Sequence, residues 1–311
     1  MTRLLTVFGA TGQQGGALVN HVLNTPALSS FFQLRAVSRD ASKPAAVALR
    51  RQGVDLVEAN LDDPASLKKA VAGAQVVFAV TNYWEEPGVE REIRQGKAIA
   101  DACVAAGVDQ IIWSSLPSIS KISGGRIDVV RHFESKAVVE EYIRGLEIMS
   151  TFYMAGWFMQ NYAQVPALLP VSDGTYYIFS QPWSPSTQLP LIDIRDTGKF
   201  LAPALLDPAV FHGKNLACAT AYYSMNEMAA AWTRVKGTEV VYKQLGADEP
   251  LPGFPEELAH NFKEGLAFVE EVGYFGPAGP TDVVWTLEQL HGVPGSHSLG
   301  TWEDFLRENS L

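Results

Sequence analysis

The sequence predicts an α/β fold, a Rossmann doubly wound parallel sheet with a smaller interleaved α+β C-terminal domain. Three observations predict it. An apolar run, Leu4-Leu5-Thr6-Val7-Phe8, passes through the glycine loop Gly9-Ala10-Thr11-Gly12-Gln13-Gln14-Gly15. The loop opens a segment with Ala17, Leu18, His21 and Val22 at helical spacing. Strand-like and helix-like segments then alternate through the first half of the chain, the mark of βαβ units. Past about Ala155 that rhythm breaks, and Pro, Ser and aromatic residues dominate the stretch from Pro166 to Pro190. The expected division is a dinucleotide-type domain over 1–155, with a returning segment near 187–220, and a smaller α+β domain over 156–311.

The elements follow in order. Gln33–Val37 reads as a second strand, Lys43–Arg51 as a helix and Val54–Glu58 as a third strand. Asp63-Pro64 starts a helix, since proline suits a first turn. Val76–Val80 is wholly apolar, as in a parallel strand covered on both faces. A long helix runs from about Val89 to Ala106 and stops at Gly107, a C-terminal cap. Ile111–Ser115 is a fifth strand, Val130–Arg144 a helix ending at Gly145, and Ile148–Tyr153 a sixth strand. Leu191-Ile192-Asp193-Ile194 looks like another strand, and Asp196-Thr197-Gly198 leads into a helix through Leu206. Ser224-Met225-Asn226-Glu227 has the form of a capping box, and Thr301–Asp304 opens a last helix similarly.

Composition bounds the function. The 311 residues are 47% hydrophobic and 19% charged, as in a globular protein with a large core. A net charge of −10 argues against a nucleic-acid surface. Cys103 and Cys218 are too few for a disulfide framework and read as buried thiols of a reducing compartment. Met1-Thr2-Arg3 runs straight into the first strand, so no secretory leader is expected, and no apolar run is long enough for a bilayer. A cytoplasmic protein is expected, with the nucleus as the alternative location. His21, His212, His260, His291 and His297 are scattered, which gives a metal site little support. Asp62-Asp63 and Glu85-Glu86 read as helix-start and loop charges rather than an acid–base pair.

Strand, glycine loop and helix together form a dinucleotide fingerprint. Glycine turns tightly and lets a pyrophosphate approach the backbone, while the helix N-terminus points unpaired N–H groups at the phosphates. After the second strand come Ser38-Arg39-Asp40, with Lys43 behind. Arg39 favours the extra phosphate of NADP(H), in a charge-assisted pair worth about 1.5–3 kcal/mol; Asp40 turned inward would favour NAD instead. Short-chain dehydrogenases carry Tyr and Lys one helical turn apart, after a Ser ending the fifth strand. Here Ser114 and Ser115 end that strand and Lys136 sits on the next helix, but one turn before it stands His132. Histidine could act as the acid. The reading favoured on the residues alone is that Lys136 bonds the nicotinamide ribose and His132 lines an inactive pocket. Tyr142 reads as packing. The aromatic residues Tyr153, Trp157, Phe158 and Tyr162 would line a cleft or pack a domain interface.

The segments GATGQQGG, VTNYWEEPG at Val80–Gly88, RQGKAIADA at Arg94–Ala102 and HFESKAVVEEY at His132–Tyr142 together resemble the NmrA-like family. These are atypical relatives of the short-chain dehydrogenases, and the nearest branch is that of NADPH-sensing regulators. The resemblance covers nearly the whole chain, including Asp193–Gly198 and Trp302–Leu306. It implies NADP(H) binding without the catalytic Tyr. The phosphate loop matches Gly9, Thr11, Gly12, Gln13, Gln14 and Gly15, and the adenosine-phosphate contacts match Arg39 and Lys43. The adenine side matches Asn60 and Leu61, and the loop under ribose and nicotinamide matches Thr81, Asn82 and Tyr83. The family lysine matches Lys136. The nicotinamide-side segment matches Phe158, Met159, Gln160 and Asn161, and departs most from the branch, which is more acidic there. The function implied is a redox-sensing regulator, monomer or homodimer, with a regulatory protein partner. The alternative is an NADPH-dependent reductase of a small carbonyl, enone or phenolic substrate, in which Lys136 and Lys97 are available.

Overall fold

The first strand, β1 (Arg3–Val7), lies inside the sheet, with Leu5 and Val7 fully enclosed. The computed structural model describes residues 2–164, 167–171, 174–246, 248–251, 263, 265–296 and 298–309; Pro166, His260 and His297 lie outside the described residues. From β1 the chain moves outward to β2 (Phe32–Ser38) and β3 (Asp55–Glu58). It then crosses back to β4 (Val76–Ala79), β5 (Gln110–Ser115) and β6 (Met149–Ala155). After β7 (Trp157–Phe158), β8 (Leu168–Pro170), β9 (Tyr177–Gln181) and β10 (Gln188–Ile192), β11 (Asn215–Cys218) returns to pair with β6. The seven-stranded sheet has the order β11-β6-β5-β4-β1-β2-β3, and all its pairs are parallel. The order reverses at β1, the place where doubly wound sheets leave a crevice beyond their carboxyl ends.

Side-chain alternation makes two cores. On β4, Val76 and Phe78 join the cluster of Leu18, Val22, Phe200 and Leu201 on one face. Val77 and Ala79 join Leu67, Ile99, Trp113, Val139 and Ile143 on the other. Alternate residues of a strand point to opposite faces, so an all-apolar strand is what two covered faces require. The first face carries α1 (Gln13–Asn24), which is followed by the short α2 (Pro26–Ser29), together with the later helix Thr197–Leu206. Beyond α3 (Pro44–Arg51), the other face carries α4 (Pro64–Val71), α5 (Val89–Ala106) and, after the short α6 (Ile119–Ile122), α7 (Arg131–Arg144).

Local signals hold where they were read. Asp63 caps α4 by accepting from the Ala65 N–H at 3.0 Å, and Gly107 ends α5 at φ 68°. Ser224 and Glu227 make a reciprocal capping box. The expected strand Leu191–Ile194 is corrected: β10 stops at Ile192. The Asp193 carboxylate accepts from the Arg195 N–H at 2.9 Å and folds Ile194–Asp196 into a 3-10 turn, because an Asp side chain competes with the ladder for backbone donors. Among the described residues the C-terminal lobe adds two three-stranded sheets, one of which pairs β10 with β7 and with β12 (Ala221–Ser224). A third core there gathers Trp183, Trp232, Trp302 and Phe179. Cys103 and Cys218 are buried and unpaired. Among the described residues no helix is long and apolar enough to cross a membrane, and no metal-ligand cluster forms.

Candidate functional site

The glycine loop joins β1 to α1 in a turn that other residues would not close. Gly9 has φ 63°, and a Cβ there would lie 2.7 Å from Val80 Cγ1. A Cβ on Gly15 would lie 2.4 Å from the Gly9 carbonyl oxygen. Gly12 donates to that oxygen at 2.9 Å and is the N-cap of α1, with no side-chain cap. The N–H groups of Gln13, Gln14 and Gly15 therefore have no acceptor within the helix. They face the crevice with the positive end of the helix dipole, a ready anion site. Thr11, Gly12 and Gln13 are exposed and line a solvent-open groove that also takes in Gln160 and Arg195. The Gln14 amide oxygen accepts from Ser114 Oγ at 2.7 Å, tying the loop to the end of β5.

Arg39 and Lys43 lie exposed between β2 and α3, where Lys43 is the N-cap residue. Asp40 turns to its own loop: its carboxylate accepts from Ser42 N–H at 2.8 Å and from Ser42 Oγ at 2.5 Å. Those bonds to Ser42 hold its carboxyl below the ordinary range. Arg39 pairs with Glu85, from the loop after β4. Asn60 is exposed beyond β3, its carbonyl and N–H both bonded to Ser66 Oγ, and Leu61 is half-buried beside it.

Of the residues expected around the ribose and nicotinamide, Thr81 and Lys136 meet in one buried cluster. Lys136 Nζ donates to Glu92 Oε1 at 3.0 Å, to Thr81 Oγ1 at 3.1 Å and to the Thr81 carbonyl at 3.4 Å. Thr81 Oγ1 donates onward to Glu92 at 2.6 Å, and Ser135 Oγ donates to the other Glu92 oxygen. Lys136 is 9% exposed and Glu92 3%. Burial alone would push the Glu92 carboxyl up. The Lys136 ammonium and the Ser135 and Thr81 hydroxyls outweigh it, and the carboxyl lies below its ordinary range. The Lys136 ammonium also lies 5.6 Å from the centre of the Trp113 ring.

His132 stands beside this cluster, in a wall of rings. Its centroid is 4.9 Å from Trp84, 5.8 Å from Tyr83 and 4.9 Å from Phe133. Burial, with the Lys136 charge beside it, pushes the imidazole down to about 4. At neutral pH it is uncharged and a poor proton donor. Lys97 stacks 4.8 Å over the Tyr142 ring, whose hydroxyl donates to Asp101 at 2.6 Å. Neither belongs to the cluster. Asn82 is exposed and accepts from the Trp84 N–H at 3.2 Å.

Over the whole of residues 1–306, the chain matches the model of the NmrA-like family. The chain belongs to the NmrA-like family. An NmrA-like family domain-containing oxidoreductase of Aspergillus hancockii, hkm9, is 28% identical over 293 residues, covering 89% of this chain and 86% of its own. The crystal structure of NmrA, a negative transcriptional regulator, in complex with NADP has a TM-score of 0.80 at 24% identity, covering 99% of this chain and 95% of its own. An NADPH-dependent quinone oxidoreductase of Escherichia coli, complexed with NADPH, has a TM-score of 0.74 at 24% identity and covers 98% of each chain. Fold likeness thus reaches a regulator and a reductase alike.

Within this NmrA-like chain, the segment after β6 reaches the groove at Gln160. Met159 is fully enclosed in the C-terminal core. Gln160 donates to Asp193 at 2.7 Å and accepts from the Ile194 N–H at 3.1 Å, so its amide braces the turn after β10. Phe158 packs on the main core and Asn161 opens a one-turn helix. Sequence alone gives Glu92 and Ser135 no role and takes Glu85 for a loop charge. The first two sit inside RQGKAIADA's helix and the HFESK segment, and only the pairing of α5 with α7 gives them a role.

Proposed function

We propose that the chain binds NADP(H) across the carboxyl ends of β1, β2 and β4 and acts as a redox-sensing regulator without efficient dehydrogenase turnover. One observation carries the second half: the Lys136 ammonium spends its N–H donors on Glu92 and Thr81. A short-chain dehydrogenase lysine serves ribose and a catalytic tyrosine, and an ammonium has no more than three donors. No tyrosine stands one turn before Lys136, and the His132 there is neutral. Among the described residues the crevice then offers phosphate donors and cations, while neither Lys136 nor His132 is placed to hand over a proton. Sensing then requires that the reduced and oxidised cofactors have different affinities for two conformations. The proposed reader of that state is a protein partner in the cytoplasm or nucleus, a transcription regulator among them, or a second copy of the chain. The test is NADPH absorbance with a panel of aldehydes, ketones, quinones and enones, in protein shown by calorimetry to bind NADPH. Binding with no consumption is expected; saturable consumption overturns the non-turnover reading.

A second reading, an NADPH-dependent reductase of a small carbonyl, enone or phenolic substrate, is favoured by the aromatic wall. Trp84 is 62% exposed beside Tyr83 and His132, a face on which a flat acceptor would stack. The same assay decides between the two.

The cofactor reading itself is checked at Gly15. Gly15→Ala sets a methyl 2.4 Å from backbone, so the loop has to move. The strain, about 1–3 kcal/mol, falls on the phosphate-binding turn. NADP⁺ affinity is expected to drop about ten- to hundredfold by calorimetry, and an unchanged affinity places the phosphates elsewhere.

A further inference from the structure

The acidic pair Glu85-Glu86 divides its partners. Glu86 is held by Arg91 at 2.9 Å, and Arg91 also holds Asp62 at 2.8 Å. Glu85 reaches the other way, to Arg39. Arg39 directly follows β2 and Glu85 follows β4, the two strands that flank β1. The three strands run parallel, so both loops emerge at the carboxyl edge. The pair therefore spans two strand spacings, about 10 Å, over the end of β1 where the glycine loop begins. That is the switch-point crevice of the sheet. Its side chains remain open to solvent, 56% exposed for Arg39 and 38% for Glu85. Among the described residues Lys43 makes no ion pair, so one of the two cations is open and the other is covered by a carboxylate.

We infer that the Arg39–Glu85 pair is a latch across the adenosine end of the dinucleotide crevice, opened by the 2′-phosphate of NADP(H) and not by NAD(H), and that Glu85 thereby sets the specificity between them. This rests on the dinucleotide reading above. A guanidinium fork accepts a carboxylate or a phosphate in the same geometry. The exposed carboxylate pair is weak, being screened and side-chain-entropy limited. A phosphate dianion makes stronger charge-assisted bonds and adds Lys43 as a second cation, so exchange runs toward the phosphate. The uncharged ribose hydroxyl of NAD(H) has nothing with which to displace Glu85. Once released, Glu85 frees a loop whose neighbouring residues, Tyr83 and Trp84, rest on His132. The phosphate at one end of the cofactor is thus linked to the aromatic wall at the other.

Calorimetric titration of NADP⁺ and NAD⁺ into the wild-type chain, Glu85→Gln, Arg39→Gln and the double variant tests this. Glu85→Gln is expected to bind NADP⁺ about three- to fivefold tighter, the worth of one exposed ion pair, with NAD⁺ unchanged. The gain is expected to vanish in the Arg39→Gln background, since Glu85 acts through Arg39. Unchanged or weaker NADP⁺ binding in Glu85→Gln, or the same gain without Arg39, overturns the latch while leaving the cofactor reading intact. A wild-type chain that binds neither dinucleotide removes the cofactor reading, and the latch with it.

Discussion

Glu92→Ala is expected to destabilise the fold by about 3–5 kcal/mol, the cost of leaving a buried charge without its partner. Glu92 lies 3.0 Å from the Lys136 ammonium and also accepts from Thr81 and Ser135. The whole group sits between α5, α7 and the end of β4, largely out of water. Removing the carboxylate strands the ammonium and deprives two hydroxyls of their acceptor, and each loss adds to the penalty. Denaturant unfolding measures it as a fall in midpoint at unchanged slope. Pairing Glu92→Gln with Lys136→Met removes both charges at similar volume and is expected to restore most of the loss. A cost below about 1 kcal/mol for Glu92→Ala would mean that water already solvates the pair and that Lys136 is free for chemistry. The result bears on the enzyme question directly. Lys136→Ala strands the Glu92 carboxylate in the same way, so loss of turnover in that variant reports unfolding as readily as a lost catalytic group. The double variant separates the two.

The sequence made the scaffold legible because its signals are local. Gly107 ends α5 in a left-handed cap, Asp63 caps α4, and the apolar run in β4 needs no partner to be recognised. Lys136 was legible as a candidate from its place after the fifth strand. Its actual partner was not. Glu92 lies 44 residues away on another helix, and reaches Lys136 only because α5 and α7 pack closely. That closeness depends on Gly96, one turn beyond Glu92, where a Cβ would lie 2.7 Å from Val139 and 2.9 Å from Trp113. A glycine inside a helix reads in sequence as a weak point of about 1 kcal/mol; in the fold it is the contact that brings the charges together. Met159 shows the opposite case. The resemblance implies a cofactor contact there; the fold adds that the tryptophan-rich C-terminal core closes over its side chain, a packing event with no local signature.

Acidification from pH 7 to pH 5 is expected to weaken the fold well before its carboxylates are protonated. His132 and His21 are each pushed down to about 4, in both cases chiefly by burial. Lys136 adds to the effect at His132, and Lys199 at His21. His21 is wedged where α1 crosses the helix Thr197–Leu206, since a Cβ on Gly198 would lie 2.2 Å from His21 Cβ, and its Nε2 is buried without a hydrogen-bond partner among the described residues. Above the unfolded value of about 6.5 both imidazoles are neutral in either state and contribute nothing to the pH dependence. Between about 6.5 and 4 the unfolded chain takes up protons that the folded chain refuses, so stability falls as pH falls. The expected slope is about 1.4 kcal/mol per pH unit for each histidine. Glu92, with its carboxyl held below the ordinary range, acts in a lower window: its contribution is present above the unfolded carboxylate pKa and is lost as pH drops through the folded one. Urea unfolding at pH 7, 6 and 5 separates these terms. His132→Gln and His21→Gln are each expected to remove about half of the slope in that range, because a glutamine carries no proton equilibrium whatever it costs in packing. A stability that stays level from pH 7 to 5 would show that the imidazoles protonate freely in the folded chain. In that event His132 would titrate at about its unperturbed value of 6.5, near enough to neutrality to serve as an acid, and the cluster beside Lys136 would hold the acid that the non-turnover reading denies it.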